Sequence, residues 1–135
     1  MSTMTLTRQD ARLEAALGQS ITALTAAQAR MDAETTRVLD THRALVAAET
    51  AVSFQRVRLI NVAAAQRRVD DAVLDELDAQ LEKLEEAAEE RDVLEADLVR
   101  LLQAREEAAK RKATEAPQAT GPAPVPVATV PARRR

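Results

Sequence analysis

A chain of 135 residues with one aromatic side chain, Phe54, and no Cys, Trp or Tyr lacks the bulky apolar material from which broad globular cores are built. The missing cysteines exclude disulfides and thiolate metal sites. A net charge of −3 argues against nucleic-acid binding, which calls for a positive excess along one face.

What remains is rich in Ala, Leu, Val, Glu and Arg, the composition of long helices that meet along narrow seams. The expected fold class is all-α: long coiled-coil helices forming an antiparallel helical hairpin with a bend near 57–69, then a disordered Pro-rich C-terminal tail. One continuous rod is the alternative.

In chain order, residues 1–6 read as a flexible N-terminus. No basic start leads into an apolar run, so no secretory leader is expected. No stretch approaches 18 uninterrupted apolar residues, so no membrane span is expected either. Thr7-Arg8-Gln9-Asp10 fits a capping box, in which Thr7 and Asp10 satisfy free amide donors at a helix start. From there to Pro117 the only Gly is Gly18 and no Pro occurs. The coiled-coil region is accordingly placed at 7–113, with arms of about 7–60 and 63–113.

In the first arm Leu17, Leu24, Met31, Val38, Leu45, Val52 and Leu59 recur every seven residues. The opposing column, Leu6, Leu13, Ser20, Ala27, Glu34, Thr41, Ala48, Gln55 and Val62, is mostly small or polar. Two helices meeting on such a face approach closely but gain little area per turn. The stripe keeps its phase across Gly18, which places that glycine inside a helix at a cost of about 1 kcal/mol.

The stretch RLINVAAAQRRVDDAV (Arg58 to Val73) decides between hairpin and rod. Asn61 lies near the midpoint between Thr7 and Lys112, and Val57, Leu59, Ile60, Asn61 and Val62 include the least helix-favouring residues of the interior. The heptad phase also shifts by one residue between Leu59 and Leu74, which a turn would absorb. Against a bend stand Ala63, Ala64 and Ala65, together with Arg67 and Arg68, which face Asp70 and Asp71 at helical spacing. A rod would run about 160 Å and a hairpin about 80 Å.

The second arm has Leu74, Leu77, Leu81, Leu84, Ala88, Arg91, Glu95, Leu98 and Leu102 at alternating steps of three and four. Lys110, Arg111 and Lys112 complement a helix C-terminus, and Pro117 is expected to stop the helix. Residues 114–135 read as a disordered Pro/Ala-rich tail with polyproline II character, ending in Arg133-Arg134-Arg135.

The candidate interaction residues are those of the seam: Leu17, Leu24, Met31, Val38, Leu45, Val52 and Leu59, with Leu74, Leu77, Leu81, Leu84, Leu98 and Leu102. The expected partner is a second copy or another helical protein, with Glu34, Thr35, Thr41, His42, Glu49 and Arg91 placed to set register. Nothing points to an enzyme, because acid–base and nucleophilic chemistry needs groups converging in a pocket. His42, the one histidine, reads as a tolerated seam residue. No cofactor, metal or small-molecule substrate is expected, since neither a calcium loop nor a phosphate-binding glycine loop is present. Residues 70–97 hold thirteen carboxylates against Lys83 and Arg91, the pattern of a solvated helix face. Between Glu49 and Asp70 there are four Arg and no acid.

These features suit a non-enzymatic structural or assembly protein, a scaffold or adaptor of the cytoplasm or a virion. Arg outnumbers Lys 16 to 3, in keeping with a GC-rich bacterial or phage genome. One alternative is an amphipathic coat on a lipid or polymer granule, which would want a wider, basic-flanked apolar face. A further one is a secretion-system component. The expected architecture is similar to that of the small export-stalk proteins of flagellar and type III secretion systems, which are also antiparallel helical hairpins. That likeness is one of architecture and not of motif.

Overall fold

The computed structural model describes residues 6–65 and 68–119, with side chains to residue 115. Among these every element is helical. The chain makes two short helices, α1 (Asp10–Leu17) and α2 (Ile21–Ala26), then a 3-10 turn (Gln28–Arg30), and two long helices, α3 (Ala33–Ala64) and α4 (Asp71–Ala119).

The expected first arm is not one helix, and Gly18 is the first reason. It takes φ +71°, the left-handed conformation, and closes α1 with its N–H donating to the Glu14 carbonyl. A left-handed glycine after the last helical turn is a common helix stop. Ser20 then caps α2 by accepting from the Ala23 N–H at 3.2 Å. The Glu14 carboxylate reaches across the break to accept from Ile21 N–H at 2.9 Å. Asp32 opens α3 in the same manner, accepting from Thr35 N–H at 2.8 Å. The seven-residue repeat therefore crosses three breaks.

The two placements of Gly18 predict opposite signs for one substitution. Inside a helix, Gly18→Ala would stabilise by about 1 kcal/mol. In the observed left-handed position it should destabilise by about 1 kcal/mol, although a Cβ there meets nothing within 4 Å, because the strain lies in the backbone. Urea unfolding of the two proteins reads the sign directly.

The chain is also not a continuous rod. Helix α3 carries on through Val57, Ile60 and Val62, the weak helix formers, and ends at Ala64; Ala65 is extended, with φ −60° and ψ 128°. Asp70 then caps α4, its side chain accepting from Val73 N–H at 3.0 Å. A capping aspartate outside the helix cannot also support the helix from within, which removes the argument for continuity. Arg67, the other half of that argument, lies outside the described residues.

At about 48 Å and 74 Å the two long helices differ in length, and they pack along one another. Helix α4 continues to Ala119, six residues past the expected boundary at 113 and through Pro117. The donor that proline lacks would have served the carbonyl of Ala113, which is exposed and open to water, so the missing bond is inexpensive there. The N-terminal residues 1–5 and the tail from 120 to 135, with its Arg triplet, lie outside the described residues.

Packing is uneven along the long helices. Leu13, Leu24, Val38, Leu39, Leu45, Leu98 and Leu102 form one buried cluster, with Leu17, Met31, Leu94 and Leu101 against it. All four helices contribute, so this base is thick. The rest of the α3–α4 seam has smaller buried groups, Ala48, Val52 and Val73.

Candidate functional site

The most organised polar group in the molecule lies at the base. Thr7, Asp10 and His42 are all buried. Asp10 Oδ1 accepts from the Thr7 hydroxyl at 2.6 Å and from the Thr7 N–H at 3.1 Å. Oδ2 accepts from Leu6 N–H at 2.6 Å. His42 Nε2 stands 2.8 Å from Oδ1. Four groups thus converge on one carboxylate, three on Oδ1 and one on Oδ2. Burial pushes the Asp10 pKa up, but the hydrogen bonds from Thr7, His42 and Leu6 outweigh it and hold it below the ordinary aspartate value. An ionised carboxylate only accepts, which places the proton on His42 Nε2.

Half of the expected capping box is present. Asp10 reaches back to accept from Thr7 N–H at 3.1 Å, but Thr7 Oγ1 accepts from Gln9 N–H at 3.2 Å and not from Asp10 N–H. Gln9, not Thr7, stands at the N-cap of α1. The same Asp10 also ties the N-terminal segment to α3. Beside it, Gln9 Nε2 donates to Glu95 at 3.1 Å and the Arg12 guanidinium grips Glu106 through two bonds, at 2.7 and 3.0 Å. That pairing raises the Arg12 pKa and lowers that of Glu106. Both groups are half-exposed, so the pair orients α1 on α4 more than it stabilises it. Across the base, Arg105 Nη1 donates to Thr35 Oγ1 at 3.0 Å.

Chemically this is a clasp. The Thr7 hydroxyl gives its proton to the carboxylate and not to the imidazole, so the order needed for a hydroxyl nucleophile activated by histidine is not assembled. A cavity of about 150 Å³ lined by Leu6, Ile21, Leu39, His42 and Val46, among others, adjoins the clasp. It is smaller than ordinary ligand pockets, whereas a shallow depression of about 400 Å³, lined by Leu6, Thr7, Arg8, Glu49 and Arg91, also adjoins the clasp. Among the described residues no group of three or more His, Cys, Asp or Glu side chains is placed to hold a metal ion. No described helix is long and apolar enough to cross a membrane.

The seam residues expected from the sequence fall into three groups. Leu24, Val38, Leu45, Leu98 and Leu102 meet in the base cluster, with Leu17 and Met31 against it. Val52 is buried outside that cluster, and Leu59, Leu77 and Leu84 are half-buried. Leu74 and Leu81 are exposed. Two further cluster members are Leu13, which belongs to the opposing seven-residue column, and Leu39, which belongs to neither column. Leu39 follows Val38 directly, and adjacent buried positions on one helix signal a third packing element, here α2. The Asp10–His42 pair spans 32 residues and left no periodic trace. The capping residues were readable: Gly18 followed by Ser20, and Asp32 three before Thr35, are ordinary stop and start signals.

One defect lies nearer the turn. Gln80 is buried, and the Oε1 atoms of Gln55 and Gln80 are buried without a hydrogen-bond donor. A buried carbonyl left unpaired is destabilising. Replacing Gln80 with Leu is expected to raise stability by about 1 kcal/mol, seen as a higher melting temperature.

No protein-family model, curated protein or solved structure matches this chain.

Proposed function

We propose that this chain is a non-enzymatic helical assembly protein. In this reading α3 and α4 form an antiparallel coiled-coil hairpin, braced at its base by the N-terminal segment, and the hairpin works through helix–helix association. Its partners are further copies of itself or another helical protein. The observation that carries the reading is the uneven use of apolar side chains. The base cluster takes up those near 13–45 and 94–102, whereas Phe54, Val57, Ile60, Leu74 and Leu81 remain exposed. Leu6 and Val93 are exposed beside the base as well, but most of the exposed large apolar groups lie away from it, and such groups in number mark an interaction surface. The clasp of Thr7, Asp10 and His42 supports a structural role for the one histidine.

The acidic face of α4 weighs against a coat on anionic lipid, which needs basic residues beside its apolar stripe. The Arg-rich, Lys-poor composition supports an origin in a bacterial or phage assembly. Sedimentation velocity of the full chain tests the proposal. An associated species that gains mass with concentration is the expected result. A chain that stays monomeric alone and beside its co-purifying helical partners would remove the reading.

A further inference from the structure

Beyond the base cluster the long helices carry two exposed patches of opposite character. On α3, Phe54, Val57 and Ile60 follow at steps of three and so share a face. They are 56%, 54% and 56% exposed. Basic groups flank them: the Arg58 guanidinium lies 5.7 Å over the Phe54 ring, and Arg56, also exposed, is one turn from Ile60. On α4, Asp71, Leu74, Asp78, Leu81 and Glu85 follow at steps of three, four, three and four. All five are exposed, and together they make one stripe in which leucines alternate with carboxylates.

The two patches match in apolar content and are opposite in charge. They cannot satisfy each other within one chain, because α3 and α4 meet through other faces, where Ala48, Val52 and Val73 are buried. We propose that the Phe54–Val57–Ile60 face of one copy docks on the Leu74–Leu81 stripe of a second copy, with Arg56 and Arg58 set against Asp78 and Glu85. This rests on the self-association proposed above and assigns it to a surface. Pairing like with like would bring arginines against arginines, or carboxylates against carboxylates. The unlike arrangement avoids both, and opposite charges around an apolar centre fix register and speed encounter.

The test uses the full chain in sedimentation velocity at low and high salt. Arg56→Glu with Arg58→Glu, and separately Asp78→Arg with Glu85→Arg, change exposed side chains and should leave the helical circular dichroism unchanged. Each pair is expected to weaken self-association by at least about tenfold, and mixing the two variants in equal amounts should restore the wild-type mass. Salt should weaken the wild-type complex. If the wild type associates but neither variant alters its mass, or if the mixture fails to recover, this surface is wrong while self-association stands. A wild type that remains monomeric overturns both. Binding of the wild type to vesicles of anionic phospholipid, lost with Arg56→Glu and Arg58→Glu while the mass in solution stays that of one chain, would assign the α3 face to lipid and overturn the pairing.

Discussion

Truncating Leu98 to alanine is expected to lower the unfolding free energy by about 3 kcal/mol, near the middle of the range for a buried leucine. Its side chain is wholly buried on α4, in the cluster that also holds Leu13, Leu24, Val38 and Leu45. Because all four helices meet there, the loss is felt by the whole base and not by one seam. The groups facing Leu98 come from separate helices tied by short connections, which limits how far they can close on the void, and the residual cavity adds to the transfer term. Chemical denaturation measures the loss. The companion substitution separates the two ends of the molecule. Leu45→Asp buries a charge in the same cluster and should abolish the folded base. Leu81→Asp, at a 44% exposed position in the proposed docking stripe, should leave the helical content of the single chain unchanged and instead weaken self-association. A Leu98→Ala protein with wild-type stability would mean that the base cluster is not the core.

Replacing Asp10 with alanine is the second large effect, at about 3 kcal/mol. It strips the acceptor from the Thr7 hydroxyl, two backbone N–H groups and His42 Nε2 at once. Donors left buried and unpaired cost more than the bonds themselves were worth. Loosening should begin in the N-terminal segment, where hydrogen exchange would register faster amides in α1 than along α3. His42→Ala should cost less, since the remaining three donors keep their partner. Acid should imitate the aspartate change in part. The Asp10 carboxyl titrates lower in the folded chain than in the unfolded one, so its contribution is complete above the ordinary aspartate range. It is lost as pH falls through the folded value, because the unfolded chain takes up the proton first. Stability measured from neutral pH downward should fall with a steeper acid limb in the wild type than in Asp10→Ala.

Much of the helical character could be read from periodicity. The column from Leu17 to Leu59 picked out Leu24, Val38, Leu45 and Val52, all of which are buried, because a side chain repeating every second turn returns to one face whatever that face meets. The same column misleads at Gly18, where the phase runs unbroken but the helix does not. Periodicity records which side chains want burial and is blind to breaks that preserve the count. Propensity likewise places the weak point among Val57 to Val62, whereas the helix holds there and gives way at Ala65, after two alanines. Local preferences of a few tenths of a kcal/mol per residue yield to a cap such as Asp70, worth about 1 kcal/mol.

Helical class, the stretches able to form helices and the stripe that seeks burial all follow from side-chain spacing and backbone preference, which act within a few residues. The clasp between Asp10 and His42, the burial of Leu39, and the exposure of Leu74 and Leu81 arise only when segments far apart in the chain come together. A leucine's environment depends on what lies opposite it, and the N-terminal helices cover the base of α3 and α4 but leave the other end bare.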